Sequence, residues 1–136
     1  MYQKILVPMA LDHGISEHTL KVARALCAPG GEITALHVYE APQGSVSAFL
    51  DKEAVQEGFE RAGKMLAARL EALPDVHSRL IKGHTARSII DFAAANATDC
   101  IVIGSHRPGL SDYFLGSTAS RVVRHAACAV HVHRSA

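Results

Sequence analysis

Two short runs made of apolar residues throughout, Ile5-Leu6-Val7-Pro8-Met9 and Cys100-Ile101-Val102-Ile103, constrain this chain more than any other feature. A strand with one face in water alternates apolar with polar residues. A strand without alternation must be covered on both faces, as in a parallel sheet sandwiched between helices. Ile33 to Tyr39 is another apolar run, ended by Pro42, while Val76 to Lys82 and Ala129 to His133 read as further strands. Helical periodicity fills the intervals. Ser16 stands as an N-cap before a helix with Leu20, Ala23, Leu26 and Cys27 on one face, stopped by Pro29-Gly30-Gly31. After a small-residue loop, Gln43 to Leu50, a second helix starts at Asp51. It carries Val55, Phe59, Met65, Leu66 and Leu70 and runs up to Pro74. Gly83 turns the chain, and Thr85 caps a helix that buries Ile89, Ile90, Phe92 and Ala93. Ser117 to His125 is the last helix. Strands alternating with helices predict an α/β fold whose parallel sheet carries helices on both faces.

The totals narrow the function classes. A chain of 136 residues with 49% hydrophobic residues can bury a core, and it reads as one domain over 1–136, without internal repeat, low-complexity tract or linker. Fourteen basic residues stand against 13 acidic ones, a formal charge of +1 that offers no general attraction to nucleic acid or an anionic membrane. Aromatics make up 5% and Trp is absent, which argues against a base-stacking platform. Cys27, Cys100 and Cys128 form no CxxC and lie among apolar neighbours, as small buried thiols in a reducing compartment do. Met1-Tyr2-Gln3-Lys4 leads straight into a strand with no signal-like segment, and no apolar run approaches the roughly 20 residues that span a bilayer. The expected location is the cytoplasm.

Ligands of an open parallel sheet sit beyond the carboxyl ends of its strands, where the strand order reverses. The loop after the fourth strand is the informative one: Gly104-Ser105-His106-Arg107-Pro108-Gly109, then Gly116-Ser117-Thr118 opening a helix. Glycines let backbone amides approach an anion closely, and a helix N-terminus adds free N–H groups and a favourable dipole. Ser117 and Thr118 supply hydroxyls, and Arg107 a charged fork. A plain turn before a capped helix would account equally well for the glycines and serine alone. The loop lacks the Gly-Lys-Ser/Thr of a Walker loop, and no GxGxxG follows the first strand.

In order and spacing, these residues resemble the universal stress protein family, which carries G-x2-G-x9-G-[ST] between its fourth strand and last helix. The resemblance covers nearly the whole chain. It includes Lys4-Ile5-Leu6-Val7-Pro8, Leu36-His37-Val38, Gly83, Ile101 to His106, Leu115-Gly116-Ser117 and Val122 to Ala126, with Val130 and Arg134. It implies a sheet of order 3-2-1-4-5 with flavodoxin-like layering, and it implies binding of ATP or AMP, with Mg²⁺ as a candidate companion ion. Carried over by position, Pro8 and Met9 would line the base pocket and the Val38 backbone would read the adenine edge. Gly104 would approach the ribose beside Ser105 and His106, and Gly116, Ser117 and Thr118 would hold the phosphates. Two positions depart from the pattern. Arg107 replaces the second motif glycine in a loop one residue shorter, and is read as a substitute phosphate ligand. Ala10 stands where the family usually has an acidic residue that contacts adenosine, the nearest carboxylate being Asp12.

Other constellations carry less. Nine histidines are many for this length, but His13 and His18 have a spacing unsuited to one helix face, and no metal site is expected. His37 reads as a hydrogen-bonded core residue. Ser105 and His106 with Asp112 do not form a nucleophilic triad, since adjacent residues on an extended chain point apart and no G-x-S-x-G elbow is present. Glu57 with Arg61, and Glu60 with Lys64, are spaced for i,i+4 pairing on a solvated or partner-binding helix face. In the last strand, period two puts Val130 and Val132 on one face and His131 with His133 on the other. The family resemblance implies a homodimer through this strand, 129–133, which would gather the imidazoles about the axis. The expected function is a nucleotide-dependent stress-response module acting on an unidentified protein partner, with no nucleic-acid or membrane role. A slow ATP phosphohydrolase and a nucleotide-free dimeric interaction protein remain the alternatives.

Overall fold

A computed structural model describes residues 1–11, 16–41, 52–105 and 115–134. Strand β1 (Tyr2–Pro8) is followed by helix α1 (Ser16–Leu26), β2 (Cys27–Tyr39) and α2 (Lys52–Arg69). Then come β3 (His77–Lys82), α3 (Thr85–Ala95), β4 (Cys100–Gly104), α4 (Ser117–His125) and β5 (Ala129–His133). The five strands form one sheet of order β3-β2-β1-β4-β5, every neighbouring pair parallel.

The uninterrupted apolar runs are explained by what lies on each side. Ile5 and Val7 of β1, Ile33 and Ala35 of β2, and Cys100 and Val102 of β4 face Leu20 and Ala23 of α1 and Ala62 and Leu66 of α2. The intervening Leu6, Leu36, Val38, Ile101 and Ile103 face Ile89 and Ala93 of α3 and Ala119 and Val122 of α4. Each residue of the central strands therefore enters one of two cores, and neither core tolerates a polar side chain at these positions. The outermost strand β5 keeps its alternation. Val130 and Val132 pack into the α3/α4 core, His131 is exposed, and the half-buried His133 stacks on His18 of α1 with ring centroids 6.3 Å apart.

Several local expectations are corrected. Strand β2 begins at Cys27 rather than Ile33, because Tyr2 pairs with Cys27 before the register shifts to Lys4 opposite Glu32. Pro29-Gly30-Gly31 does not end the helix: α1 stops at Leu26, Cys27 belongs to β2 rather than to the helix face, and the Pro-Gly-Gly run is an irregularity inside that strand, with Gly30 at φ +79°. Helix α2 ends at Arg69, and turns closed by Leu73 N to Leu70 O (2.9 Å) and Val76 N to Leu73 O (3.0 Å) lead into β3 at His77. Thr85 is the first residue of α3 and not its cap. His84 occupies the N-cap without a side-chain bond, and the Glu40 carboxylate, arriving from the end of β2, accepts from Thr85 N at 3.0 Å. Ser16 likewise opens α1 as its first helical residue. Among the described residues, Glu57 and Arg61 form no ion pair, nor do Glu60 and Lys64; Gln56 Nε2 donates to Glu60 Oε1 instead, at 3.2 Å. Exposed pairs of this spacing gain only about 0.2–0.5 kcal/mol, too little to fix two long side chains. No helix among the described residues is long and apolar enough to cross a membrane.

Candidate functional site

Strands β1 and β4 lie side by side at the centre of the sheet, and their connections leave in opposite directions. From β1 the chain crosses through α1 to β2; from β4 it crosses through α4, on the other face, to β5. A crevice must open between such departures. The ladder between β1 and β4 stops at Leu6 opposite Ile101, although β1 continues to Pro8 and β4 to Gly104. Pro8 has no N–H to offer either neighbour, and pairing on this side lapses where the crevice begins.

One wall is the end of β1. Met9 is buried, its N–H donating to Leu36 O at 2.8 Å and its carbonyl accepting from His37 Nδ1 at 2.7 Å. A carbonyl can only accept, so the His37 proton sits on Nδ1. Leu36 O faces β1, and strand period two turns the Val38 peptide to the same edge, past the last residue of β1. Ala10 is exposed, and Leu11 O accepts from Arg69 Nη2 at 2.7 Å, which anchors the chain to the end of α2.

The other wall is built of backbone bonds. Ser105, only 3% exposed, donates its N–H to His133 O at 2.9 Å and accepts from Gly116 N at 2.7 Å. Ser105 and Gly116 are therefore held side by side. Gly116 is the N-cap of α4 and makes no side-chain cap bond; Ser117 and Thr118 open the helix, whose first turn holds no acidic residue. Its leading N–H groups have no acceptor within the helix. Gly116 adopts φ −55° and ψ 153°, angles open to any residue. The backbone itself therefore does not demand glycine at this position. Ser120 tightens the same turn, its Oγ donating to Leu115 O at 3.3 Å.

The structure thus brings Pro8, Met9, Ala10 and Val38 to the end of β1 and β2, and Gly104, Ser105, Gly116, Ser117 and Thr118 to the end of β4 and the start of α4. His106, Arg107, Asp112, Asp12 and His13 lie outside the described residues. Sequence reasoning missed the roles of Arg69, His133 and Glu40. A signal existed only for Glu40, a carboxylate at a strand end shortly before a helix with no cap of its own. Among the described residues no group of three His, Cys, Asp or Glu side chains could hold a metal ion. Burial pushes the Cys100 thiol up to about 11, so it stays protonated and unreactive in the neutral range.

This is a doubly wound parallel α/β protein with a glycine-lined helix N-terminus at its switch point. The chain belongs to the universal stress protein family, whose model matches residues 1–134. A universal stress protein of Thermus aquaticus is 30% identical over 135 residues, covering 96% of this chain and 97% of that one. The structure of the hypothetical protein MJ0577 superposes with a TM-score of 0.78 at 27% identity, over 100% of this chain and 98% of the other. A universal stress protein from Archaeoglobus fulgidus, solved in complex with dAMP, shares the fold with a TM-score of 0.61 at 21% identity, over 96% of this chain and 97% of that one.

Proposed function

We propose that this protein is a cytoplasmic, single-domain regulatory module that binds an adenine nucleotide, ATP or AMP, in the crevice between β1 and β4. The observation that carries the reading is Gly116: a glycine with ordinary backbone angles, hydrogen-bonded into place at the mouth of a helix whose first N–H groups are free of helical partners. Phosphates sit there, against Gly116, Ser117, Thr118 and Arg107, with Gly104, Ser105 and His106 along the ribose. The base lies against Pro8 and Met9 and is read by the Val38 peptide. The dAMP complex of the Archaeoglobus fulgidus relative supports an adenine ligand for the family. Nucleotide occupancy, with Mg²⁺ on the phosphates where ATP is bound, governs association with a protein partner, and the β5 edge serves a homodimer. Hydrolysis is the weaker reading, because the first turn of α4 offers no carboxylate to act as a base.

Isothermal titration of ATP, AMP and adenosine tests the proposal, together with the mass of whatever acid releases from freshly purified protein. Gly116→Val leaves the melting temperature within a few degrees and removes nucleotide binding. Wild-type protein that takes up none of the three at millimolar concentration overturns it.

A further inference from the structure

At the opposite end of the sheet from the crevice, on the α3 face, the strands leave a polar groove of about 310 Å³. That volume lies at the lower end of small-molecule pockets. Its floor is β2, where Glu32 and Thr34 stand beside Lys4 of β1 on one side and His77 and Arg79 of β3 on the other. The foot of α3 closes it, with Phe92 and Asn96. The apolar residues that fill this face further up, Leu36, Val38 and Ile89, do not reach so far down. A sheet face that changes from a close-packed core to charged and hydroxyl side chains within one strand has stopped serving the core.

The charges are unbalanced and unspent. Lys4 and Arg79 face one carboxylate, Glu32, with the His77 imidazole beside them, and among the described residues none of these four side chains is engaged in a hydrogen bond or ion pair. The Arg79 guanidinium is held all the same: it lies over the Phe92 ring, 5.2 Å from the centroid, which orders it ahead of any ligand. The negative end of the α3 dipole would oppose an anion here. Asn96 blunts it, donating to Phe92 O through both its backbone N (3.1 Å) and its Nδ2 (2.9 Å).

Register decides the shape of the ligand. Lys4 is level with Glu32, whereas Arg79 is level with Leu36, four residues further along β2. Their Cα atoms are thus about 10 Å apart across the sheet and about 13 Å along it. At that offset the two head groups suit the two ends of one ligand better than a single phosphate, which would need both side chains stretched toward one point. We propose that this groove is a second ligand site, separate from the crevice, for a small two-ended anion: a carboxylate or phosphate at each end, joined by a hydroxylated body. One end meets Lys4 and the other Arg79, with His77 and Thr34 between them to bond the hydroxyls.

The test uses 3-phosphoglycerate and citrate as probes and glycerol as a neutral control. Titration is followed by calorimetry and by amide chemical shifts of the full chain. The probes shift Thr34, His77 and Asn96, while glycerol does not. Lys4→Gln and Arg79→Gln each weaken probe binding about tenfold, the loss expected for one charge-assisted hydrogen bond. Phe92→Leu weakens it less, by freeing Arg79, and Glu32→Gln strengthens it by removing the opposing charge. AMP affinity stays the same in all four variants. Two results overturn the proposal: shifts confined to Gly104 and Gly116, or no binding of either probe at about 10 mM in low salt, where exposed charges act most strongly. Failure of AMP binding in the wild type bears on the crevice alone, since the groove shares no residue with it.

Discussion

Replacing Asp99 should reveal how the centre of the sheet is held. The register shift between Tyr2 and Lys4 turns two consecutive N–H groups of β1, those of Gln3 and Lys4, toward the start of β4, where pairing begins only at Ile5 opposite Cys100. Asp99 takes both. Its Oδ2 accepts from Gln3 N at 2.8 Å and its Oδ1 from Lys4 N at 2.9 Å, while its own N–H donates to Lys4 O at 2.9 Å. One residue thus joins β1 to the start of β4 below their first paired residues. Hydrogen bonds to a charged group contribute about 1.5–3 kcal/mol each when well buried. These two are solvent-accessible, and water can replace the carboxylate, so about half of the lower value applies to each. Asp99→Ala should therefore cost roughly 1.5 kcal/mol in all. For a chain of this length that lowers Tm by about 5 °C. Asp99→Asn keeps one acceptor oxygen and should lose about half as much. Urea unfolding followed by circular dichroism reads both variants, and nucleotide affinity should stay unchanged because the crevice lies at the other end of the sheet. A loss below about 0.5 kcal/mol for alanine, or an asparagine variant as unstable as the alanine one, would refute the two-oxygen clamp.

The capping role of Glu40 is checked the same way: Glu40→Ala should lose about 1 kcal/mol, as removal of a helix cap does, and His84→Asp should recover part of it by restoring a local cap. Cys100 makes the pH dependence alkaline. Burial raises its pKa from 9.0 to about 11 in the folded chain, with Cys128 raised too, so the unfolded chain releases the proton first. Stability is full below pH 9 and falls as pH rises toward 11, by an amount on the order of 2 kcal/mol. Urea midpoints between pH 8 and 10.5 should show the decline, and Cys100→Val should flatten it; identical slopes in the two proteins would remove Cys100 from the account.

What the sequence made legible follows from where each element's information resides. The inner strands announce themselves because Leu6, Ile101 and their neighbours are apolar on both faces, and only a two-sided core demands that. The start of α4 is legible because Gly116-Ser117 is a local signal. Long-range devices are not: nothing near Thr85 says that its cap comes from Glu40, and nothing near Gln3 says that Asp99 waits 96 residues away. Pro29-Gly30-Gly31 misleads for a related reason. Those residues signal a break in pairing, and whether the break is a loop or an irregular stretch of strand depends on Tyr2, a residue of another strand. The groove at the foot of α3 was likewise hidden, since Lys4, Glu32 and Arg79 each read as ordinary surface charges until the register brings them to one face.

The β1–β4 junction has to meet two opposed requirements. The crevice needs these strands to part early, and they do, pairing only at Ile5 with Cys100 and at Leu6 with Ile101. A central ladder so short would leave the two halves of the sheet weakly joined. The remedy is placed where it cannot obstruct a ligand: Asp99 clamps the strands at their amino ends, below the last pair. Above it the walls are tied outward, Met9 to Leu36 on one side and Ser105 to His133 on the other, each to its own half of the sheet. Gly116 hangs from Ser105 and so belongs mechanically to the β4–β5 half, while the Val38 peptide belongs to the β2–β3 half. A ligand that touches both walls therefore adds a connection between the two halves above the short ladder. If the crevice takes a nucleotide as proposed, binding should stiffen the sheet as a whole, and a signal of that kind can be read on any surface of so small a protein.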